Sequence, residues 1–245
     1  MPDIKIGVGT VQFGLDYGIS NASGRTPVAE ARRILDLADR KGIRVLDTAA
    51  LYGQSEEVLG QNLPEGHTFA IVTKTPKFDP SRGAHEEAER LEAVFRQSLR
   101  RLRQPCIDGL LIHRATDLLT NGGKQLFDSM VSLRERGLVR KIGASVYSAV
   151  EIEELLSRYR LDLMQVPVSI LDQRLIQGGH LSSLKKAGVE VHARSVFLQG
   201  LLLMQPDSLP AHFAGVRGLL RGYFAAIARQ GLTPLQAALG FVLKV

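Results

Sequence analysis

Short apolar runs alternate with helix-patterned stretches along all 245 residues, and nothing else in the chain restricts its fold as strongly. Such runs, bounded by turn residues and separated by amphipathic segments, read as βα units with parallel strands. Seven strands are expected: 4–9, Arg44–Asp47, Phe69–Lys74, Gly109–His113, Lys141–Ala144, Leu163–Pro167 and Val189–Arg194. Helices are expected between them, at Val28–Lys41 behind a Thr26-Pro27 cap, from Ser55, and at Glu86–Arg103, Gln125–Arg136 and Leu181–Ala187. Ser148 with Glu151 and Thr233 with Gln236 have capping-box spacing. No Gly/Ser-rich linker divides the chain, so residues 1–245 are expected to form one domain. The length suits a (β/α)8 TIM barrel of about 250 residues. No eighth run follows the seventh. The expectation is a barrel whose eighth strand and C-terminal tail are absent from this chain, either a fragment or a variant barrel.

Composition narrows the function classes. The net charge is +6, but the positive residues are dispersed over helical segments. The densest group, Arg96, Arg100, Arg101 and Arg103, reads as the solvated face of a helix whose other face carries Leu91, Val94, Phe95, Leu99 and Leu102. Nucleic acid is therefore not an expected partner. No apolar stretch reaches about 18 residues, so no membrane partner is expected either. The single cysteine, Cys106, cannot form an internal disulfide, which fits a reducing, cytoplasmic setting. Neither H-E-x-x-H nor a cysteine cluster is present, so no metal site is expected. A monomer or weak oligomer is expected.

Three strand ends carry the chemistry. Asp47-Thr48-Ala49-Ala50-Leu51-Tyr52-Gly53-Gln54-Ser55-Glu56 places a carboxylate and a phenol just past the second strand. Lys74 ends the third strand and His113 the fourth. Singly, each has an ordinary structural explanation: a strand end, a helix cap, a satisfied histidine. In a parallel barrel, however, all carboxyl ends of strands face one side, where reactive groups meet. A free phenol has a pKa of about 10 and is a weak acid at neutral pH. A nearby ammonium lowers that value. Asp47 could hold Lys74 charged, His113 could orient a carbonyl oxygen, and Tyr52 could protonate it. No side chain supplies hydride, so a nicotinamide cofactor is implied.

In these residues, and over most of its length, the sequence resembles the aldo-keto reductases. The match covers the D-T-A-x-x-Y-G-x-S-E segment, the strand-ending lysine and the I-H pair. The opening Gly7-Val8-Gly9-Thr10-Val11-Gln12-Phe13-Gly14-Leu15-Asp16-Tyr17-Gly18 looks like a bacterial branch of that family. The resemblance implies NADPH-dependent reduction of an aldehyde or ketone, a sugar-derived one among the candidates, with NADH not excluded. It implies Asp47, Tyr52, Lys74 and His113 as the catalytic set. It also implies cofactor contacts from Ser145, Gln165, Arg194, Ser195, Phe197, Gln199 and Gly200, with Ser145 and Gln165 holding the carboxamide.

The sequence departs from the family pattern at two positions near these contacts. Val146 stands where the family has Asn, and Arg194 where many relatives have an aromatic ring. A planar guanidinium can also stack. The loop after Arg194 could offer backbone N–H groups to a pyrophosphate. Without tryptophan, and with a short loop after His113, the pocket is expected to be open and poor in aromatic groups. The competing reading is a regulatory barrel that binds a dinucleotide or sugar without turning it over. The proton-transfer set argues against it, because a pure binder has no need of one.

Overall fold

The computed structural model describes residues 5–79 and 81–245. Among these residues seven strands form one sheet: β1 (Gly7–Gly9), β2 (Val45–Asp47), β3 (Ala70–Lys74), β4 (Ile107–Ile112), β5 (Val139–Ser145), β6 (Leu163–Pro167) and β7 (Glu190–Arg194). Each pairs in parallel with its successor. Each expected run overlaps one of these strands, although β4 begins two residues earlier and stops one short of His113, and β5 is longer than its run at both ends; the start of the first run, at Ile4, lies outside the described residues.

Among the described residues ten helices accompany the sheet. They are α1 (Val11–Gly14), α2 (Val28–Arg40), α3 (Ser55–Asn62), α4 (Ala84–Leu102), α5 (Gly123–Glu135), α6 (Ala149–Arg158), α7 (Arg174–Gln177), α8 (His180–Lys186), α9 (Arg217–Arg229) and α10 (Pro234–Val242). Both expected capping boxes form, at Ser148 and at Thr233. Two expected caps do not. Pro27 rather than Thr26 occupies the cap position of α2, and Gln54 rather than Ser55 that of α3.

The pleat divides the core into two layers. Along a strand, side chains alternate between faces. Ile71, Leu110, Ile112, Ile142, Ala144, Met164 and Val166 belong to the large outer core beneath the helices. Val72, Leu111 and Leu163 form a separate inner cluster. Gly143 belongs to the inner face, where a Cβ would lie 1.7 Å from the Leu163 carbonyl oxygen, so only glycine fits. Two residues further along their strands, on the same inner face, stand Lys74, His113, Ser145 and Gln165. Period-two geometry thus sets these polar groups directly above an apolar plug.

Among the described residues no strand follows β7, and β1 and β7 form the two edges of the sheet. Both edges contain only exposed or half-buried residues, whereas every residue of β6 is buried. The sheet is a partial barrel of parallel strands. A second apolar cluster, including Leu202, Leu220, Tyr223 and Ile227, joins α9 and α10 to the 3₁₀ turns between Leu201 and Val216.

Candidate active site

Lys74 organises the site. It is 2% exposed, the largest fully buried side chain of the described residues. Its Nζ donates to Asp47 Oδ1 at 2.6 Å and to the Thr48 carbonyl oxygen at 2.8 Å. A buried ammonium is tolerated only when paired and hydrogen-bonded, and both conditions are met here. Burial pushes the Lys74 pKa down, and the Asp47 carboxylate opposes that shift. The same Asp47 oxygen accepts 2.8 Å from Gln165 Nε2. The carboxylate is thereby fixed from two strands.

Tyr52 follows. Its ring centroid lies 4.9 Å from Lys74 Nζ, and 5.9 Å from the His113 ring in an edge-on arrangement. The loop that carries it is held by hydroxyls. Thr48 Oγ1 donates to Ser55 Oγ at 3.0 Å, Ser55 Oγ to the Thr10 carbonyl at 2.9 Å, and Thr10 Oγ1 to the Asp47 carbonyl at 2.9 Å. The Ser55 side chain is therefore spent inside the loop and not on the helix end. Glu56 is also buried; it accepts from Thr73 Oγ1 at 2.7 Å and pairs with Arg101. Gly53 has φ +55° and passes so close to α1 that a Cβ would sit 2.4 Å from the Gly14 carbonyl oxygen. The Thr, Gly, Ser and Glu of the sequence motif thus build the loop that presents Tyr52.

The direction of the Tyr52 shift corrects the sequence-based argument. Burial, and then the Asp47 charge, raise the phenol pKa, while Arg194 pulls it down. The ammonium does not produce a net lowering. Tyr52 is firmly protonated at neutral pH, which is the form a proton donor needs. His113 moves the other way: burial and then the Lys74 charge lower its pKa to about 4, so the ring is neutral. Its Nδ1 is buried without a partner among the described residues.

The eleven residues expected at the site line one cavity of about 520 Å³. Asp47, Tyr52, Lys74 and His113 meet there. Ser145, Gln165 and Arg194 reach it from β5, β6 and β7, and Ser195, Phe197, Gln199 and Gly200 from the following loop. In that loop Ser195, Leu198 and Gln199 have φ of 60°, 47° and 58°. Non-glycine residues in this conformation cost about 1–3 kcal/mol each and cluster at functional sites.

One expectation about the pocket needs correction. The wall is not poor in aromatic groups, since Tyr17, Tyr52, Tyr147 and Phe197 all line it. Val146 does not line it: its side chain is buried in the outer core, and its carbonyl accepts from Arg194 Nη2 at 2.8 Å. Sequence reasoning missed Tyr17 and Tyr147. Tyr147 stands two positions after Ser145, on the same parity, and the strand period could have found it.

Comparison with known proteins decides the family. The aldo/keto reductase family model matches residues 5–245. This chain belongs to the aldo/keto reductase family. It is 26% identical over 215 residues to the uncharacterized oxidoreductase YqkF of Bacillus subtilis, covering 82% of this chain and 67% of that one. It is 29% identical over 193 residues to the aldo-keto reductase AKR2E4 of Bombyx mori, covering 75% of this chain and 61% of that one. A crystal structure of that silkworm enzyme is in complex with NADP and superposes with a TM-score of 0.56, at 24% identity over 80% of this chain and 63% of that one. The aldo-keto reductase AKR11C1 of Bacillus halodurans superposes with a TM-score of 0.67, at 27% identity over 84% of this chain and 66% of that one. The chain spans between about half and two thirds of the length of the curated relatives it matches.

Proposed function

We propose that this chain carries the site of a reductase that converts an aldehyde or ketone to an alcohol with NADPH. The observation that carries the reading is the Asp47–Lys74 pair beneath a protonated Tyr52 and a neutral His113. The cavity also suits the cofactor. At Gly9 a Cβ would meet nothing within 4 Å, so the wall is open there. Ser145 and Gln165 offer polar groups for a carboxamide, although the Gln165 amide nitrogen already serves Asp47. Among the described residues the N–H groups of Val196, Phe197 and Gln199 donate to no backbone acceptor, which fits a phosphate-binding loop.

When bound, the nicotinamide supplies the hydride. His113 aligns the carbonyl oxygen from its ring edge. Tyr52 donates the proton to that oxygen as negative charge builds there, and regains one from solvent after product leaves. Lys74, held by Asp47, places a fixed positive charge under the phenol ring as it turns into phenolate. Gln165 and the Thr48 carbonyl keep the pair from rotating.

Fluorescence titration of the purified chain with NADPH and NADH, followed by turnover of an aldehyde and ketone panel, tests the reading. Tight binding of either dinucleotide with reduction of at least one carbonyl supports it. Binding without turnover across the panel favours the regulatory alternative.

A further inference from the structure

Arg101 stands near the end of α4, a helix that does not line the cavity, and the sequence groups it with a solvated basic face. In the structure its guanidinium turns toward the start of α3. Nη1 donates to Glu56 Oε2 at 3.3 Å, Nε lies 3.1 Å from Glu57 Oε1, and Nη2 donates to Gln97 Oε1 at 3.2 Å. All three nitrogens of the fork are engaged. The backbone of the same residue meets α3 again one turn further on, where a Cβ at Gly60 would lie 2.0 Å from the Arg101 carbonyl oxygen. Arg101 therefore grips α3 at two points along one face.

Glu56 carries this grip to the site. Its other oxygen accepts from Thr73 Oγ1 at 2.7 Å, and Thr73 directly precedes Lys74 on β3. Ser55, its neighbour in sequence, donates its backbone N–H to the Tyr52 carbonyl at 3.0 Å, and the Ala50 N–H reaches the Lys74 carbonyl at 3.2 Å. A slide or rotation of α3 would thus move the phenol relative to the ammonium. A buried ion pair adds little stability over apolar side chains of similar volume, but its hydrogen bonds have direction. Glu56 and Thr73 are both buried, so direction is what this chain of contacts supplies.

We propose that Arg101 is a positioning residue for the reaction: through Glu56 and Thr73 it sets Tyr52 over Lys74 from outside the cavity. The proposal rests on the reductase reading.

The test uses Arg101→Met, Arg101→Lys, the exposed neighbour Arg100→Met, and the double variant Glu56→Met/Arg101→Met, which leaves no buried charge unpaired. Single-turnover reduction of 4-nitrobenzaldehyde at saturating NADPH gives the chemical rate. A displacement of about 1 Å can cost about 10²-fold, so the rate should fall by about tenfold or more in Arg101→Met and in the double variant. KM should stay within about twofold, because the phenol acts in the transition state. Arg101→Lys should keep part of the rate, and Arg100→Met all of it. In a Tyr52→Phe background Arg101→Met should cost almost nothing further, since no phenol is left to misplace. A purely structural role would lower the urea midpoint and cost the same rate with or without Tyr52. Nuclear magnetic resonance of ring-labelled tyrosine gives a readout independent of turnover. Among the five tyrosines, the Tyr52 signal, assigned by its loss in Tyr52→Phe, should shift in Arg101→Met and in the double variant. The Tyr223 signal, from the second apolar cluster, should stay. An unchanged rate in Arg101→Met, or an equal loss with and without Tyr52, overturns the proposal and leaves the reductase reading intact. If wild type reduces no aldehyde yet the Tyr52 signal moves, the link from Arg101 to Tyr52 stands and the reductase reading falls. If neither is seen, both fall.

Discussion

Removing the charge of Asp47 while keeping its shape should expose what that carboxylate does for Lys74. The Lys74 side chain is 1% exposed, and Asp47→Asn leaves its ammonium the Thr48 carbonyl as the remaining strong acceptor. Breaking a buried ion pair by removing one partner costs about 3–5 kcal/mol. The Asp47 side chain is 23% exposed, so water screens part of the loss. We expect a loss of about 2–3 kcal/mol at pH 7, which for a chain of this size lowers Tm by about 5–10 °C. Lys74→Met in the Asp47→Asn background should recover about 1 kcal/mol or more, because no buried charge is then left unpaired. The pH dependence has a definite sign. Burial lowers the folded-state pKa of Lys74, and without Asp47 it falls further. The unfolded chain then binds more protons than the folded one over the window below the unfolded value of about 10.4, so stability rises with pH there. The Asp47→Asn deficit should therefore shrink from pH 7 to pH 9.5. Urea unfolding followed by circular dichroism measures all of these quantities. A single mutant within about 0.5 kcal/mol of wild type, or a deficit that grows with pH, would refute the reasoning.

Two further outcomes follow from the same geometry. Gln165→Ala removes a bond that restrains Asp47, so it should lower the chemical rate as well as dinucleotide affinity; single-turnover kinetics alongside a binding titration would detect a change confined to affinity, the opposite result. His113 has a folded-state pKa of about 4 against an ordinary 6.5, so the unfolded chain takes up the proton first. Stability contributed by neutral His113 should be present above pH 6.5 and be lost as pH falls toward 4. Urea midpoints of His113→Gln should show a shallower decline than wild type across that window.

The sheet was legible because each strand is short, apolar and followed by a turn. Leu163–Pro167 matches its expected bounds, and β3 ends on Lys74 as expected. That these groups would meet in one cavity was legible because they sit at strand ends, where position along the chain dictates position in the barrel. Less visible were features that depend on who meets whom across the sheet. The Gln165–Asp47 bond spans 118 positions, and no local pattern announces it. Ser55 reads as a cap in one dimension, but Thr10 and Thr48 claim its hydroxyl in three. Helix α9 escaped notice because Gly218 and Gly222 weaken its propensity and no side chain caps it. It is held by the second apolar cluster, a tertiary effect. The direction of the Tyr52 shift also lay beyond the sequence, since burial outweighs charge there.

Single-turnover reduction of a test aldehyde by Tyr52→Phe, with NADPH affinity measured separately, tests the central assignment most directly. Phenylalanine keeps the ring beside Lys74 and His113 and removes only the proton donor. General acid catalysis contributes about 10²–10⁴-fold. The rate should fall by at least the lower figure while the NADPH affinity stays within about threefold, because the phenol acts in the transition state. A Tyr52→Phe chain that reduces the aldehyde at the wild-type rate would show that another group protonates the oxygen.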